Sequence, residues 1–287
     1  MKWYKHLLLL ACGASLLAAC SNTKELELEV MSFNIRYDEP NDGTNSWDNR
    51  KDQVLSLLKF EDVDLLGTQE VLHHQLLDIS AGLPDYTVVG VGREDGFLKG
   101  EYSAILFKKD RFDLKDSGTF WLSETPHELG SKGWDGACER VASWALLSDK
   151  ANKRTIFFIN THLDHVGELA RREGVNLLLS QAKELADGAP VIITGDFNAE
   201  PESDVIQNVL NPNNPLTLVS SHTAAINKKG LNWTFHGYDK VPLDERQVID
   251  YIFVSSAAQV LEYEVLPMQW EKQFISDHCP ILAKIKL

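Results

Sequence analysis

Six short stretches of this chain set an acid, an amide or a histidine at the end of an apolar run. In order they are Ser32-Phe33-Asn34, Gly67-Thr68-Gln69-Glu70, Asn160-Thr161-His162-Leu163, Gly195-Asp196-Phe197-Asn198, Ile249-Asp250-Tyr251-Ile252-Phe253 and Ser276-Asp277-His278. The fourth is the most telling. Val191-Ile192-Ile193-Thr194 reads as a buried strand, and Gly195 as the point where the chain leaves the sheet. Residues two apart in extended chain point the same way, so Asp196 and Asn198 would set a base beside a hydrogen-bond donor. Each stretch also has a bland reading, such as an Asn-stabilised turn at Asp196–Asn198 or a structural role for a lone histidine. The series as a whole spans most of the chain, so one fold has to gather it.

The positioning elements are mostly strands. Leu26, Leu28 and Val30 alternate with Glu25, Glu27 and Glu29, a half-exposed strand running into Asn34. Further strands are expected at 63–66, 86–91, 102–107, 119–122, 141–147, 155–159, 233–235, 248–254, 261–265 and 281–285. Helical spacing appears over 47–60, and most clearly over 168–186, where Gly188 and Pro190 provide the stop. No repeat or internal linker interrupts residues 24–287. Many strands, hairpin spacings and one long crossover predict two packed sheets with helices outside.

The first residues belong to an address. Lys2 and Lys5 precede the apolar run 7–19, which is short for a permanent membrane helix. It ends in Leu17-Ala18-Ala19-Cys20, similar to a bacterial lipobox, followed by the polar Ser21-Asn22-Thr23-Lys24. The division expected is a lipoprotein-type signal at 1–19, a tether at 20–25 and one domain at 26–287. Cys20 would carry the lipid, and the protein would be exported and anchored in a bacterial cell envelope, touching the membrane through that anchor alone. An ordinary secretory signal is the simpler alternative. Only Cys138 and Cys279 remain in the domain, which excludes a disulfide framework or a CxxC zinc site.

The full chain carries 28 basic and 42 acidic residues. Removing 1–19 takes Lys2 and Lys5, leaving 26 against 42, a net of −16. That balance opposes loose binding to polyanions. A bound divalent cation would reverse the local field, so a nuclease is not excluded.

The ordered motifs resemble the endonuclease/exonuclease/phosphatase superfamily over roughly residues 26–287. That superfamily includes pancreatic-type deoxyribonucleases, abasic-site endonucleases, neutral sphingomyelinases, inositol polyphosphate 5-phosphatases and nocturnin-like deadenylases. The resemblance implies an α/β four-layer sandwich: two packed, mainly antiparallel β-sheets flanked by helices. It also implies divalent-metal-dependent cleavage of a phosphate ester. Glu70 would be the metal ligand, with Asn34 and Asp277 completing the shell directly or through water; hard oxygens suit Mg2+, with Mn2+ or Ca2+ as substitutes. Asp196 would be the general base and Asn198 a donor to the phosphoryl group. His162 and His278 would contact the phosphate, with Asp250 orienting His278. Glu101 matches the partner of His162 in the deoxyribonuclease branch; a solvated acid at a strand start is its plain alternative. Arg140 matches a phosphate-contacting arginine, with a structural ion pair as the alternative.

Trp47, Trp121, Trp134 and Trp233 also fall near the motifs, as do Arg93, His165 and His236. Tryptophans are more often core residues. Together these side chains, Trp134, Trp233 and His236 above all, could wall a compact pocket with Arg93 as a second anion contact. The expectation is a monomeric Mg2+-dependent phosphoesterase acting on a small phosphorylated substrate. A secreted DNA or RNA nuclease is the near alternative, and a non-catalytic ligand-binding surface lipoprotein the distant one. Every main catalytic position holds a competent residue type, which speaks against the last.

Overall fold

A computed structural model of the protein describes residues 25–287; the expected signal and Cys20 lie outside them. The strands are β1 (Glu27–Asn34), β2 (Leu65–Val71), β3 (Tyr86–Val89), β4 (Tyr102–Lys108), β5 (Phe112–Trp121), β6 (Val141–Asp149), β7 (Thr155–His162), β8 (Val191–Asp196), β9 (Leu218–Ser220), β10 (Asn227–Gly230), β11 (Asp250–Ser255), β12 (Gln259–Val265), β13 (Gln269–Trp270), β14 (Gln273–Phe274) and β15 (Ile281–Lys286). The helices are α1 (Trp47–Glu61), α2 (His73–Gly82), α3 (Glu168–Ala186), α4 (Asp204–Val209) and α5 (Ser221–Ala224). One sheet runs β10-β12-β15-β1-β2-β4-β3, the other β5-β6-β7-β8-β11-β9, and β13–β14 form a separate hairpin. Among the described residues, β1/β2, β10/β12 and β7/β8 pair in parallel and the other strand neighbours are antiparallel.

The order of layers is helix, sheet, sheet, helix. On β1, Leu28 and Val30 face the other sheet while Met31 and Phe33 pack under α1 and α2. On β7 and β8, Phe158 and Ile192 face inward while Phe157 and Ile193 pack under α3. Each strand therefore hides both faces, which explains the near-continuous apolar runs of the central strands.

Alternation continues past the apolar core and turns polar. The inward face of β1 goes from Leu28 and Val30 to Ser32 and Asn34. That of β7 goes from Ile156 and Phe158 to Asn160 and His162, and that of β8 from Ile192 to Thr194 and Asp196. One end of the sandwich is thus polar between the sheets. Asn160 ties it together. Its Nδ2 donates to Thr68 O (2.9 Å) and Ala104 O (3.0 Å), and its Oδ1 accepts from Gln69 Nε2 (2.6 Å) and Thr194 Oγ1 (3.0 Å). Gly67 leaves room for this cluster, because a Cβ there would lie 2.1 Å from Thr194 Oγ1.

Some elements differ from the sequence expectation. Residues 233–235 are no strand; Phe235 makes only isolated bridges, to Gln247 and His278. β5 begins at Phe112, well before the expected 119, because its edge position leaves Asp113-Leu114-Lys115-Asp116 in water and blurs the alternation. The short helices α2 and α4 were not expected. Cys138 and Cys279 are free thiols.

Candidate active site

Three adjacent strands of one sheet present a row of ionisable groups. In register, His162 of β7 pairs with Asp196 of β8, and Asp196 pairs with Asp250 of β11. The facing sheet presents Asn34 at the end of β1 and Glu70 near the end of β2. Asn34 joins the two sheets: its Nδ2 donates to Glu70 Oε1 (3.0 Å) and to Asp196 Oδ2 (2.9 Å). The Ser276–His278 segment closes the end, with Ser276 Oγ donating to Asn34 O (2.7 Å).

Glu70 reaches the site through a bulge. The β2/β4 register slips between Thr68 and Val71, and Glu70 is the extra residue, with φ at +60°. Without the slip its side chain would follow Leu66 and Thr68 to the helix face. Arg36 (φ +59°) and Asn198 (φ +46°) are left-handed as well. Such backbone costs free energy for a side chain with a Cβ, so packing must hold all three there. Arg50 contributes from α1: its guanidinium is fully buried and donates to Arg36 O (2.6 Å), Ile275 O (2.9 Å) and Asn45 O (2.9 Å).

The titrating groups are pushed apart. Burial and the neighbouring Asp250 carboxylate push Asp196 up to about 7, against the pull of His278. Burial alone would lower His278, yet Asp250 (2.9 Å from Nδ1), Asp196 and Asp277 hold it well above the usual imidazole value. His162 goes the other way, lowered well below by burial and by Arg140 and Arg93. Its Nε2 accepts from Asn198 Nδ2 (3.0 Å), which also donates to Leu163 O (3.0 Å). The site therefore holds a charged imidazole, a neutral one and a carboxyl between them.

Glu70 and Asp277 carry the chemistry of a cation site. Their carboxylates stand 3.7 and 3.8 Å from one guanidinium, that of Arg36, and Glu70 also accepts from Tyr37 N (3.2 Å). Although burial raises Glu70, His278, Asn34 and Arg36 keep it below the ordinary carboxylate value. These are hard oxygens with no thiolate among them, a set that fits Mg2+, Mn2+ or Ca2+. Glu70 also lies within ligand reach of His162 and Asp196. Two further clusters fit less well: in one, Asp250 is hydrogen-bonded to His278 beside Asp196, and in the other Asp164, beside Cys138 and His165, is occupied by backbone N–H groups.

A cavity of about 410 Å³ brings together Glu70, Asp277, Asp196, Asn198, His162, His278, Glu101, Arg93 and Arg140 of the expected residues. Asn34 and Asp250 lie behind it, fully buried. The cavity also holds Arg36, Tyr37, Cys138 and Phe235, which the sequence reading passed over, and His165. Arg36 and Tyr37 carried a signal, since they follow Asn34 by two and three residues.

Several expectations need correction. Glu101 faces His162 as the resemblance implies, but at ion-pair and not hydrogen-bond distance, its Oε2 3.9 Å from Nδ1. It forms instead a two-bond pair with Arg93 (2.8 and 2.7 Å), so Arg93 is not a free anion contact. Trp233 is 6% exposed in the core between the sheets, under the Arg246 guanidinium. His236 is fully buried against Phe274, and burial pushes it down to about 4. Trp134 sits half-buried on the β5–β6 loop, outside the cavity lining. Trp47 and Trp121 are core residues too. The aromatic wall is made by Tyr37 and Phe235. Arg140 is 6% exposed, held by Asp164 (3.6 Å) and by His165 Nδ1 (2.9 Å).

Residues 31–278 match the model of the Endonuclease/Exonuclease/phosphatase family. An endonuclease/exonuclease/phosphatase structure from Bacteroides vulgatus is 40% identical, with a TM-score of 0.88 over 91% of this chain and 99% of that one. A mannosyl-6-phosphatase from Bacteroides thetaiotaomicron is 36% identical, with a TM-score of 0.83 over 90% of this chain and 99% of that one. An uncharacterised protein of Acanthamoeba polyphaga mimivirus is 24% identical over 82% of this chain and 91% of its own length.

Proposed function

Because the chain belongs to the endonuclease/exonuclease/phosphatase family, whose members are metal-dependent phosphoesterases, we propose that it is an Mg2+-dependent hydrolase of small phosphate esters, sugar phosphates first among them. Glu70 and Asp277 would hold the ion; Asn34, whose Oδ1 accepts from Arg36 N, is fully buried behind the cavity and orients Glu70 through its Nδ2. Bound there, the ion supplies a Lewis acid for a phosphoryl oxygen and the leaving oxygen. Asp196 takes a proton from the attacking water as the new P–O bond forms. A carboxyl pushed up to about 7 is matched to that task. His278 donates to the phosphoryl group as charge builds, kept charged by Asp250. Asn198 donates beside it, its amide oriented by Leu163 O and His162. The bond to the leaving oxygen breaks with its electron pair, and the alkoxide takes a proton from solvent.

The observation that favours a small substrate is what adjoins the cavity. A groove of about 530 Å³ shares Asn198 and Ile249 with it, and carries Glu168, Glu200, Glu202 and Asp204 against Arg171 and Arg172. A duplex needs a basic track for its phosphates, and this flank repels them. The mannosyl-6-phosphatase at 36% identity supports the sugar phosphate. The test compares hexose phosphates, nucleotides and inositol phosphates with plasmid and RNA at fixed Mg2+ and salt, each with an EDTA control. Plasmid or RNA turned over orders of magnitude faster than every small ester would replace this reading with a nuclease.

The envelope address is proposed from the sequence alone. β1 runs from Glu27 into the site at Asn34, so a chain tethered at Cys20 enters at the far end from the cavity. At about 3.3 Å per strand residue the two ends of this strand are about 23 Å apart, which leaves the cavity open to water. Cys20→Ser should shift the protein from the membrane to the soluble fraction; a processed variant still on membranes would refute the anchor.

A further inference from the structure

The end of the cavity lined by Arg93, Glu101, Cys138, Arg140 and His165 has no part in the chemistry above, and it adjoins the reacting groups where Glu101 lies 3.9 Å from His162. We infer that this end is a leaving-group subsite in which the Arg93–Glu101 pair recognises the hydroxyls of a sugar; the inference rests on the phosphatase reading and deepens it.

Charge argues first. Arg93 is already paired with Glu101 through two hydrogen bonds of 2.8 and 2.7 Å, and Arg140 stands 3.6 Å from Asp164 with Nε and Nη1 still lacking hydrogen-bond partners, donors that a hydroxyl can meet. A second phosphate arriving here would meet the Glu101 carboxylate. Donor chemistry argues next. Guanidinium only donates and carboxylate only accepts, whereas a hydroxyl does both. A paired arginine and glutamate offer adjacent hydroxyls both kinds of partner at fixed spacing. His165 adds a donor: its Nδ1 faces Arg140 Nη2 at 2.9 Å and must accept, so the proton is on Nε2 of an exposed ring. Rigidity argues last. Arg93 N donates to Glu101 O (3.1 Å), Glu94 N to Lys99 O (3.1 Å) and Gly92 N to Phe97 O (3.0 Å), so residues 92–101 form a hairpin-like loop braced across by backbone hydrogen bonds. Trp121 Nε1 pins it by donating to Arg93 O (2.6 Å). An aryl or alkyl leaving group would bury this polar pair without satisfying it, which is how a site rejects an analogue lacking a hydroxyl.

The test uses the metal-loaded full-length protein. Its substrates are mannose 6-phosphate and glucose 6-phosphate, their mono-deoxy analogues, and p-nitrophenyl phosphate. In the wild type, at least one deoxy analogue should lose about tenfold or more in kcat/KM. Glu101→Gln and Arg93→Lys should lower the ratio of sugar to aryl kcat/KM by a similar factor. Deoxy analogues all equal to the parent would overturn the inference, whatever the variants do. So would a sugar-to-aryl ratio unchanged in folded variants, since the pair would then serve the chemistry or the hairpin alone. A wild type that hydrolyses none of these esters yet nicks plasmid is a distinct result: it refutes the phosphatase reading itself, and this subsite with it.

Discussion

Asp250 Oδ2 lies 2.9 Å from His278 Nδ1, and the side chains are 1% and 5% exposed. The other ring nitrogen faces Asp196 at 3.7 Å. An imidazole enclosed between two carboxylates stays charged although burial opposes it. Asp250→Asn keeps the volume and removes one of those charges. The expected result is a folded protein whose kcat at saturating metal falls about 10²- to 10⁴-fold, the range for losing the carboxylate behind a catalytic histidine. Steady-state kinetics with circular dichroism on the same samples check it. A kcat near wild type would show that the His278 charge is not used.

Glu70 joins a proposed metal role to a strained backbone at φ +60°. Glu70→Ala should raise the half-saturating Mg2+ concentration by about tenfold or more while moving the melting temperature little. Glu70→Gly loses the same carboxylate and relieves the left-handed strain. It should melt above Glu70→Ala, by about 0.5–1 kcal/mol of stability. Metal titration by calorimetry and thermal melts separate the two effects. Equal stability of the Ala and Gly forms would mean that the bulge is not strained.

The sequence carried the parity of the strands and therefore the polar row. Asn34, His162, Asp196 and Asp250 each continue the inward-facing positions of an apolar strand, and motif order linked them. The placement of Glu70 was legible only through the resemblance, because one inserted residue reverses its face and nothing in Gly67-Thr68-Gln69-Glu70 announces the slip. The tryptophan wall failed for a general reason: a large ring at the end of an element gains most by entering the core, as Trp47 at the start of α1 and Trp121 at the end of β5 do at 1% and 2% exposure. Arg93 and Glu101 are eight residues apart, and only the closing of the hairpin pairs them. Pairing of that kind depends on loop geometry, which periodicity does not encode.

Asp164 is the anchor of the loop that carries Arg140. Its carboxylate accepts from Ala137 N (3.0 Å), Val166 N (2.9 Å) and Gly167 N (2.7 Å) and faces Arg140. Burial alone would raise its pKa, but those N–H groups and Arg140 hold it well below the usual value. A lowered folded-state pKa stabilises the fold above the unfolded value, about 3.9, and that gain is lost as pH falls toward the folded one. Asp164→Asn should therefore lower the melting temperature clearly at neutral pH and progressively less as pH falls through the acid range. Melts of both proteins across that range test it. A deficit that is constant with pH would place the defect in shape and not in charge.

Arg36 gives the prediction with the least obvious sign. Its guanidinium hydrogen-bonds Asp42 at 3.0 Å and stands 3.7 Å from Glu70 and 3.8 Å from Asp277. Without a metal it shares with His278 the balancing of those two carboxylates. With a metal bound it becomes a like charge beside the ion. Arg36→Met keeps much of the apolar stem over the Tyr37 ring, where the guanidinium lies 4.3 Å from the centroid, and removes the charge. The metal-free variant should be less stable, because buried carboxylates lose a partner. Its affinity for Mg2+ should rise, because one repulsion is gone. KM for a phosphate ester should rise as well, since Arg36 lines the cavity and would meet the phosphate. Calorimetric titration of metal, melts in EDTA and steady-state kinetics read the three effects separately. Weaker Mg2+ binding in a folded Arg36→Met protein would show that Arg36 is needed to hold Glu70 and Asp277 in place, and that its charge does not compete with the ion.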